Sequence, residues 1–142
     1  MRRMDLQMTS ASIHRIRSSF ELLAPNLIQM TGFFYERVFA VLPESRAMFK
    51  VDMKIQQQHF AAALAVIVRN VSLFDSLRQP LRELGADHAR VGVCAEHYPP
   101  VRDAVLFAMA RALGNAWTDE LCGDWCALLD LVTTEMLAGS PK

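Results

Sequence analysis

The chain has 142 residues, of which 52% are hydrophobic and 21% are charged. This length suits a single domain, and the hydrophobic fraction excludes a disordered chain, which buries too little apolar surface to fold. The 15 basic residues balance the 15 acidic ones. A neutral chain gives no reason to expect binding to nucleic acid or to an anionic membrane.

Cysteine usage indicates a reduced protein. The chain has three cysteines, and Cys122 and Cys126 lie four residues apart in a predicted helix, a spacing that rarely meets disulfide geometry. Its longest apolar run, residues 60–68, is about half the length that a membrane-spanning helix needs. No apolar segment follows the N-terminal arginines, as it would in a signal peptide. We therefore expect a cytoplasmic protein that does not bind membranes.

Apolar residues recur at helical spacing along the chain, and strand-like alternation is not sustained. Residues 1–12 are predicted to form a polar arm. An apolar stripe over residues 13–23 predicts a first helix, which Pro25 closes. A second helix is predicted over residues 26–41, and a short third one over residues 43–49.

The second half of the chain shows the same spacing. Asp52 is a candidate N-cap for a helix that runs through Val71, and Pro80 opens the next helix. Gly92 predicts a corner. A further helix is predicted to begin at Pro99 or Pro100 and to end at Gly114-Asn115, and a final helix is capped by Thr118 or Asp119. The prediction is an all-α domain over residues 13–138, followed by a short tail over residues 139–142.

His88 is the unusual histidine, because it continues a leucine stripe into the predicted core. The stripe consists of Leu77, Leu81 and Leu84. On pattern alone, a buried and hydrogen-bonded core histidine is the commoner explanation. The alternative is an axial ligand of a haem iron, which needs a neutral imidazole in an apolar slot. His14 and His97 are expected at the surface.

Other residues could complete a haem site. Phe39, Phe49 and Phe60 could form its flat apolar walls, or could simply pack in the core. Tyr35 lies beside an apolar helix face, where a buried phenol needs a hydrogen-bond partner. Gln56 could be that partner, or it could be one of three solvated glutamines at residues 56–58. Spacing alone leaves these alternatives open.

Two motifs favour the haem interpretation. Phe-Tyr-x-x-x-Phe stands at residues 34–39, and Leu-Gly-x-x-His-x-x-x-Gly-Val-x-x-x-His-Tyr-Pro stands at residues 84–99. With this order and separation, residues 13–138 resemble the bacterial single-domain globins and the haem domain of flavohaemoglobins. The resemblance implies a globin fold, in which six to eight helices enclose one pocket for haem b.

Carried over residue by residue, the resemblance makes His88 the proximal ligand of the iron. It places Phe49 against the haem face, and it makes Tyr35 and Gln56 the distal residues that contact the bound ligand. Phe60 falls where the family usually has a leucine that faces this ligand. The resemblance also matches Tyr98 to the tyrosine beside the proximal histidine, and the remaining predicted cofactor contacts are Phe39 and Val101.

The chain departs from the family at several positions. The glutamate that contacts the proximal tyrosine in flavohaemoglobins aligns with Ser140, and not with Glu135. The tyrosine of the Trp-x-x-x-Tyr-Gly pattern is Leu129, which Asp130 follows. These departures speak against a strongly electron-donating proximal histidine and against peroxidase-like chemistry. A lysine that usually precedes the proximal histidine, and contacts a propionate, is Asp87 here.

His59 follows Gln56 by three residues, which is about 300° around the helix axis. We therefore expect it at the haem edge or in solvent, and expect a five-coordinate ferrous iron without it.

The implied function is reversible binding of a diatomic ligand (oxygen, nitric oxide or carbon monoxide) at ferrous haem by a monomer or homodimer. Nitric oxide dioxygenation would need an external reductase, because we expect no flavin or nicotinamide domain in the chain. The alternative is a haem-less, globin-like sensor or interaction module.

Overall fold

The computed structural model of the chain describes residues 8–141, so residues 1–7 of the predicted arm and Lys142 of the predicted tail lie outside the described residues. Within residues 8–141 there are six α-helices and no strand, which confirms the all-α prediction. The helices are α1 (Ser10–Leu23), α2 (Leu27–Val41), α3 (Met53–Arg69), α4 (Arg78–Arg90), α5 (Tyr98–Leu113) and α6 (Asp119–Gly139). Short 3₁₀ helices connect them at Ala24–Asn26, Pro43–Met48, Val71–Leu77, Ala95–His97 and Gly114–Ala116.

Side-chain caps explain where three of the helices begin, because they satisfy backbone N–H groups that have no partner in the first turn. Asp52 accepts a hydrogen bond from the backbone N–H of Lys54 at the start of α3, as predicted. Thr118, rather than Asp119, caps α6. Thr9 caps α1, so this helix begins at Ser10, inside the segment that the sequence assigns to the polar arm.

Two glycines mark the ends of helices as the sequence predicts. Gly92 follows α4 with a φ of 106°, and Gly114 follows α5 with a φ of 56°. Both values lie in the left-handed region, which glycine adopts without the steric cost that a Cβ imposes. The corner at Gly92 turns the chain from α4 towards α5.

The core joins α1 and α6 through polar contacts as well as apolar ones. Trp125 of α6 is fully buried, and its indole N–H donates to the Ser19 hydroxyl of α1 at 3.0 Å. The buried Asp124 carboxylate accepts two hydrogen bonds from the Arg15 guanidinium. Burial alone would raise the pKa of Asp124, but the hydrogen bonds from Arg15 and Ser12 bring it below its usual value. Arg15 therefore keeps this buried carboxylate ionised.

The most extensive helix contacts are those of α4 with α6 and of α2 with α5. Helices α4 and α6 approach backbone to backbone where they cross. A Cβ on Gly85 of α4 would overlap the carbonyl group of Met136, and a Cβ on Gly139 of α6 would overlap the carbonyl group of Arg82. Two glycines thus permit a close crossing that fixes the position of α4.

All three cysteines are free thiols. Among residues 8–141, no single helix combines the length and the apolar composition needed to cross a membrane, although α3 and the segment Val71–Arg90, bent by 110°, satisfy both criteria together.

Candidate functional site

A cavity of about 290 Å³ lies among helices α2 to α6, with a wall that is mostly apolar. Such a cavity, close to the smaller ligand pockets in size and lined by a few polar groups, is typical of a binding site for an organic molecule. The wall contains most of the residues that the sequence assigns to the site. These are Tyr35, Phe49, Gln56, Phe60, His88, Tyr98 and Val101.

His88 lies on the face of α4 that the leucine stripe predicts, and it is half-buried at the cavity wall. Its Nδ1 lies 2.9 Å from the carbonyl oxygen of Leu84. A carbonyl oxygen only accepts hydrogen bonds, so Nδ1 carries the proton and Nε2 of the neutral imidazole keeps its lone pair. This contact also fixes the orientation of the ring. His88 therefore has the tautomer that a metal-binding histidine needs.

Tyr35 is buried on α2, and its hydroxyl oxygen accepts a hydrogen bond from the Gln56 side-chain N–H of α3 at 3.0 Å. This bond uses a lone pair of the oxygen, so the proton of Tyr35 remains available to a further acceptor. Burial raises the pKa of Tyr35, and the hydrogen bond from Gln56 offsets part of that rise. The phenol is therefore protonated at neutral pH and acts as a donor.

The structure also decides among the three glutamines. Gln57 donates instead to the backbone carbonyl of Ile28 and to the hydroxyl of Thr31, both on α2. Gln58 is exposed. Of the three, Gln56 is the one that meets Tyr35.

Aromatic rings pack around the Tyr35 ring. The Phe49 ring packs edge-on against that of Tyr35, with centroids 5.4 Å apart, and the Phe60 ring lies 6.1 Å away. Phe39 does not line the cavity. Its ring packs against those of Tyr35 and Phe49, and the guanidinium of Arg46 lies 4.5 Å above it. Phe39 thus supports two wall residues without itself being one.

Tyr98, at the start of α5, has a buried hydroxyl that makes no hydrogen bond with residues 8–141. Burial raises the pKa of Tyr98, and the neighbouring Ser140 hydroxyl counteracts part of this effect. Ser140 itself donates towards the carbonyl oxygens of Gly85 and Met136. Glu135 pairs with Arg78 and Arg82 instead. No carboxylate among residues 8–141 therefore accepts a hydrogen bond from the Tyr98 hydroxyl.

His97 was expected at the surface, and this expectation is wrong in part. The side chain is half-buried and lines the cavity. Its Nδ1 accepts a hydrogen bond from the backbone N–H of Cys94 at 2.8 Å, which fixes the orientation of the ring. The sequence signal for this contact is the Cys94-x-x-His97 spacing, which allows reciprocal hydrogen bonds across one turn. His59 is exposed at the cavity rim, and His14 is exposed on α1.

Charged groups are rare at the cavity wall, and within the described chain none of the lining residues is an aspartate or a glutamate. Arg102 is the one arginine there, and it forms ion pairs with Asp103 and Asp130. Asp130 follows Leu129, which lines the cavity where the resemblance has a tyrosine. Where the resemblance has a phenol, this chain therefore has the apolar side chain of Leu129 at the wall, and Asp130 forms an ion pair with Arg102.

These residues fit a haem. A flat apolar cofactor is complementary to the apolar wall, and His88 offers an imidazole nitrogen with its lone pair free. The two carboxylates of a porphyrin would not be repelled by an acidic residue at the wall, because none of the described lining residues is acidic.

Comparison with known proteins identifies the family of the chain. The chain matches the globin family model over residues 32–136. It is 30% identical over 113 residues to the flavohemoprotein of Rhizobium meliloti, in an alignment that covers 78% of this chain and 28% of that protein. The chain thus spans about 30% of the length of the flavohemoproteins that it matches.

Solved structures show the same fold. A bacterial globin from Campylobacter jejuni superposes with a TM-score of 0.81 at 23% identity, over 92% of this chain and 94% of that one. The engineered carbene transferase RmaNOD from Rhodothermus marinus gives a TM-score of 0.79 at 25% identity, over 89% and 88% of the two chains. The predicted globin fold is confirmed. The chain belongs to the globin family, and membership of this family implies that it binds haem.

Proposed function

We propose that the chain binds haem b through His88 and reversibly binds a diatomic gas on the side of Tyr35 and Gln56. The observation that carries this proposal is the pairing of opposite hydrogen-bonding roles in one apolar cavity. His88 on α4 presents an unprotonated Nε2, whereas Tyr35 on α2 presents a free hydroxyl proton.

Haem, when bound, supplies an iron at which oxygen, nitric oxide or carbon monoxide binds. His88 would hold that iron from α4, and its bond to the Leu84 carbonyl makes the imidazole a better donor to a metal. Phe49, Phe60 and Val101 contribute apolar surface to the same cavity and exclude water from it.

Tyr35 provides the hydrogen bond that discriminates between gases. An acceptor that gains negative charge on binding is stabilised by this donor, and the low polarity of the cavity strengthens the interaction. Gln56 orients the donor, because its N–H occupies the phenol oxygen and directs the phenol proton elsewhere. Burial prevents Tyr35 from ionising, so this donor is retained at neutral pH.

Tyr35→Phe removes the hydroxyl and keeps the ring. We expect oxygen dissociation, measured by stopped-flow, to become roughly ten- to a hundredfold faster, because a hydrogen bond to a charged acceptor contributes about 1.5–3 kcal/mol. Gln56→Leu should act in the same direction with a smaller effect. Carbon monoxide, which is less polarised when bound, should respond much less.

Gln57→Leu is the matched control, since Gln57 neighbours Gln56 on α3 but donates to Ile28 and Thr31 and not to Tyr35. It should leave both gases unaffected. Equal acceleration of oxygen and carbon monoxide by Tyr35→Phe would show that this residue controls access and not hydrogen bonding.

We further propose that the chain oxidises nitric oxide to nitrate with oxygen and one electron from an external reductase. The similarity to flavohemoproteins, and to the candidate nitric oxide dioxygenase RmaNOD, supports this reaction. With oxygen present and no reductase, a nitric oxide electrode should record consumption of about one molecule of nitric oxide per haem, because each reaction uses one electron that only a reductase can replace. A separate flavin reductase with its nicotinamide should make consumption continuous. If consumption still stopped at about one nitric oxide per haem with the reductase present, the catalytic role would be refuted, and the proposal of gas binding would stand.

A further inference from the structure

The 3₁₀ helix Ala95–His97 fixes the proton position of a second histidine in the cavity. The backbone N–H of Cys94 donates to Nδ1 of His97 at 2.8 Å. A nitrogen that accepts a hydrogen bond carries no proton, so neutral His97 has its proton on Nε2. The Cys94 sulfur accepts the backbone N–H of His97 in return, which holds the turn from both sides.

His97 and His88 therefore have opposite tautomers in the same cavity. A carbonyl oxygen takes the Nδ1 proton of His88 and leaves its Nε2 as a lone pair. A backbone N–H occupies Nδ1 of His97 and leaves its Nε2 as an N–H donor. The backbone thus prepares one histidine to bind a metal and the other to bind a hydrogen-bond acceptor.

The surroundings of His97 favour an anionic acceptor. His97 is half-buried at the cavity wall, and its Nε2 makes no hydrogen bond with residues 8–141. No lining residue in that range carries a carboxylate that could take this donor. Asp87, which precedes His88 in the chain, is exposed and paired with Arg90. The donor is therefore free to meet an acceptor on a bound molecule.

We propose that His97 Nε2–H binds a carboxylate of the porphyrin, and that the Cys94 contact prevents His97 from competing with His88 for the iron. This inference rests on the proposed haem function. A neutral N–H donor suffices, so the interaction does not require His97 to be protonated to its cationic form.

The first test is free of haem. In protein labelled with ¹⁵N in its histidines, the ring-nitrogen chemical shifts of neutral His97 should be those of the Nε2–H tautomer, and those of His88 should be those of the Nδ1–H tautomer. Spectra that place the His97 proton on Nδ1 overturn the inference.

The second test compares ordinary haem with its dimethyl ester, in which both porphyrin carboxylates are neutral. The measurement is the rate of haem loss to an excess of a scavenging apo-globin. His97→Phe should release ordinary haem about tenfold faster than wild type, because a hydrogen bond to a charged group is lost. It should release the dimethyl ester at the wild-type rate for that ester.

Two further variants control for packing. His97→Gln retains an amide N–H donor at similar reach and should restore most of the retention of ordinary haem. His14→Phe makes the same change at an exposed site on α1 and should change neither rate. If His97→Phe accelerates loss of both haems equally, the side chain acts by packing alone and the inference fails. Failure of the wild-type chain to take up any haem would instead refute the proposed function.

Discussion

His88→Ala should lose most of its bound haem. The variant removes the imidazole whose Nδ1 is held by the Leu84 carbonyl, and it leaves apolar contacts as the main attachment of the cofactor. Losing only an orienting partner of a metal ligand typically costs 10–100-fold in affinity, so losing the ligand itself should cost at least about 100-fold. Titration of the apo-protein with haemin, followed at the Soret band, measures this change.

Added imidazole gives the decisive control, because alanine leaves the space that the side chain occupied. Millimolar imidazole should restore the Soret band of His88→Ala. His59→Ala changes a histidine that is exposed at the rim of the same cavity, and it should keep wild-type affinity and a broad, high-spin ferrous spectrum. A His88→Ala protein with wild-type affinity and spectrum would show that the proximal assignment is wrong. A wild-type protein that stays colourless would favour the haem-less sensor instead.

The helices could be predicted because their signals are local. The apolar stripe over residues 13–23 and the caps at Asp52 and Thr118 each lie within a few residues of the structure that they determine. Some helix boundaries differ from the predicted ones. Helix α3 ends at Arg69, two residues before the predicted end, because residues 71–77 continue as a 3₁₀ helix.

The site was less predictable because its contacts cross between helices. Nothing local distinguishes Gln56 from Gln57, since the rotation of α3 against α2 decides which of them meets Tyr35 and which meets Thr31. His97 escaped prediction because its inward orientation depends on one backbone N–H in a three-residue 3₁₀ helix, which has no hydrophobic periodicity. The family resemblance rests on the order of the residues, which does not determine the tautomers of His88 and His97.

The crossing of α4 and α6 could not be predicted from the sequence either, because its contacts also join different helices. It leads to the second prediction with a large expected effect. Gly85 and Gly139 are far apart in the sequence, yet each permits the backbone of the other helix to approach. Both glycines lie in helices, where alanine is normally more stable by about 1 kcal/mol. Helix propensity and packing therefore predict opposite outcomes for Gly85→Ala.

Packing should win, because the methyl group would meet the Met136 backbone and not a flexible side chain. Overpacking of a core typically costs about 1–3 kcal/mol and sometimes more. A clash with backbone places Gly85→Ala at the upper end of this range, so after the gain of about 1 kcal/mol in helix propensity we expect the free energy of unfolding to fall by about 2 kcal/mol. Urea denaturation followed by circular dichroism measures it, and Gly139→Ala should show a loss of the same sign, because its methyl would meet the Arg82 backbone.

Gly123→Ala is the matched control, because Gly123 is an exposed residue of α6 with open space where a Cβ would stand. It should raise the free energy of unfolding by up to about 1 kcal/mol. His88 lies less than one helical turn beyond Gly85, so a displaced α4 should also weaken haem binding in Gly85→Ala and not in Gly123→Ala. If both alanine variants proved equally stable and retained haem equally, the helices would have room to separate at no cost, and the crossing would not determine where His88 stands.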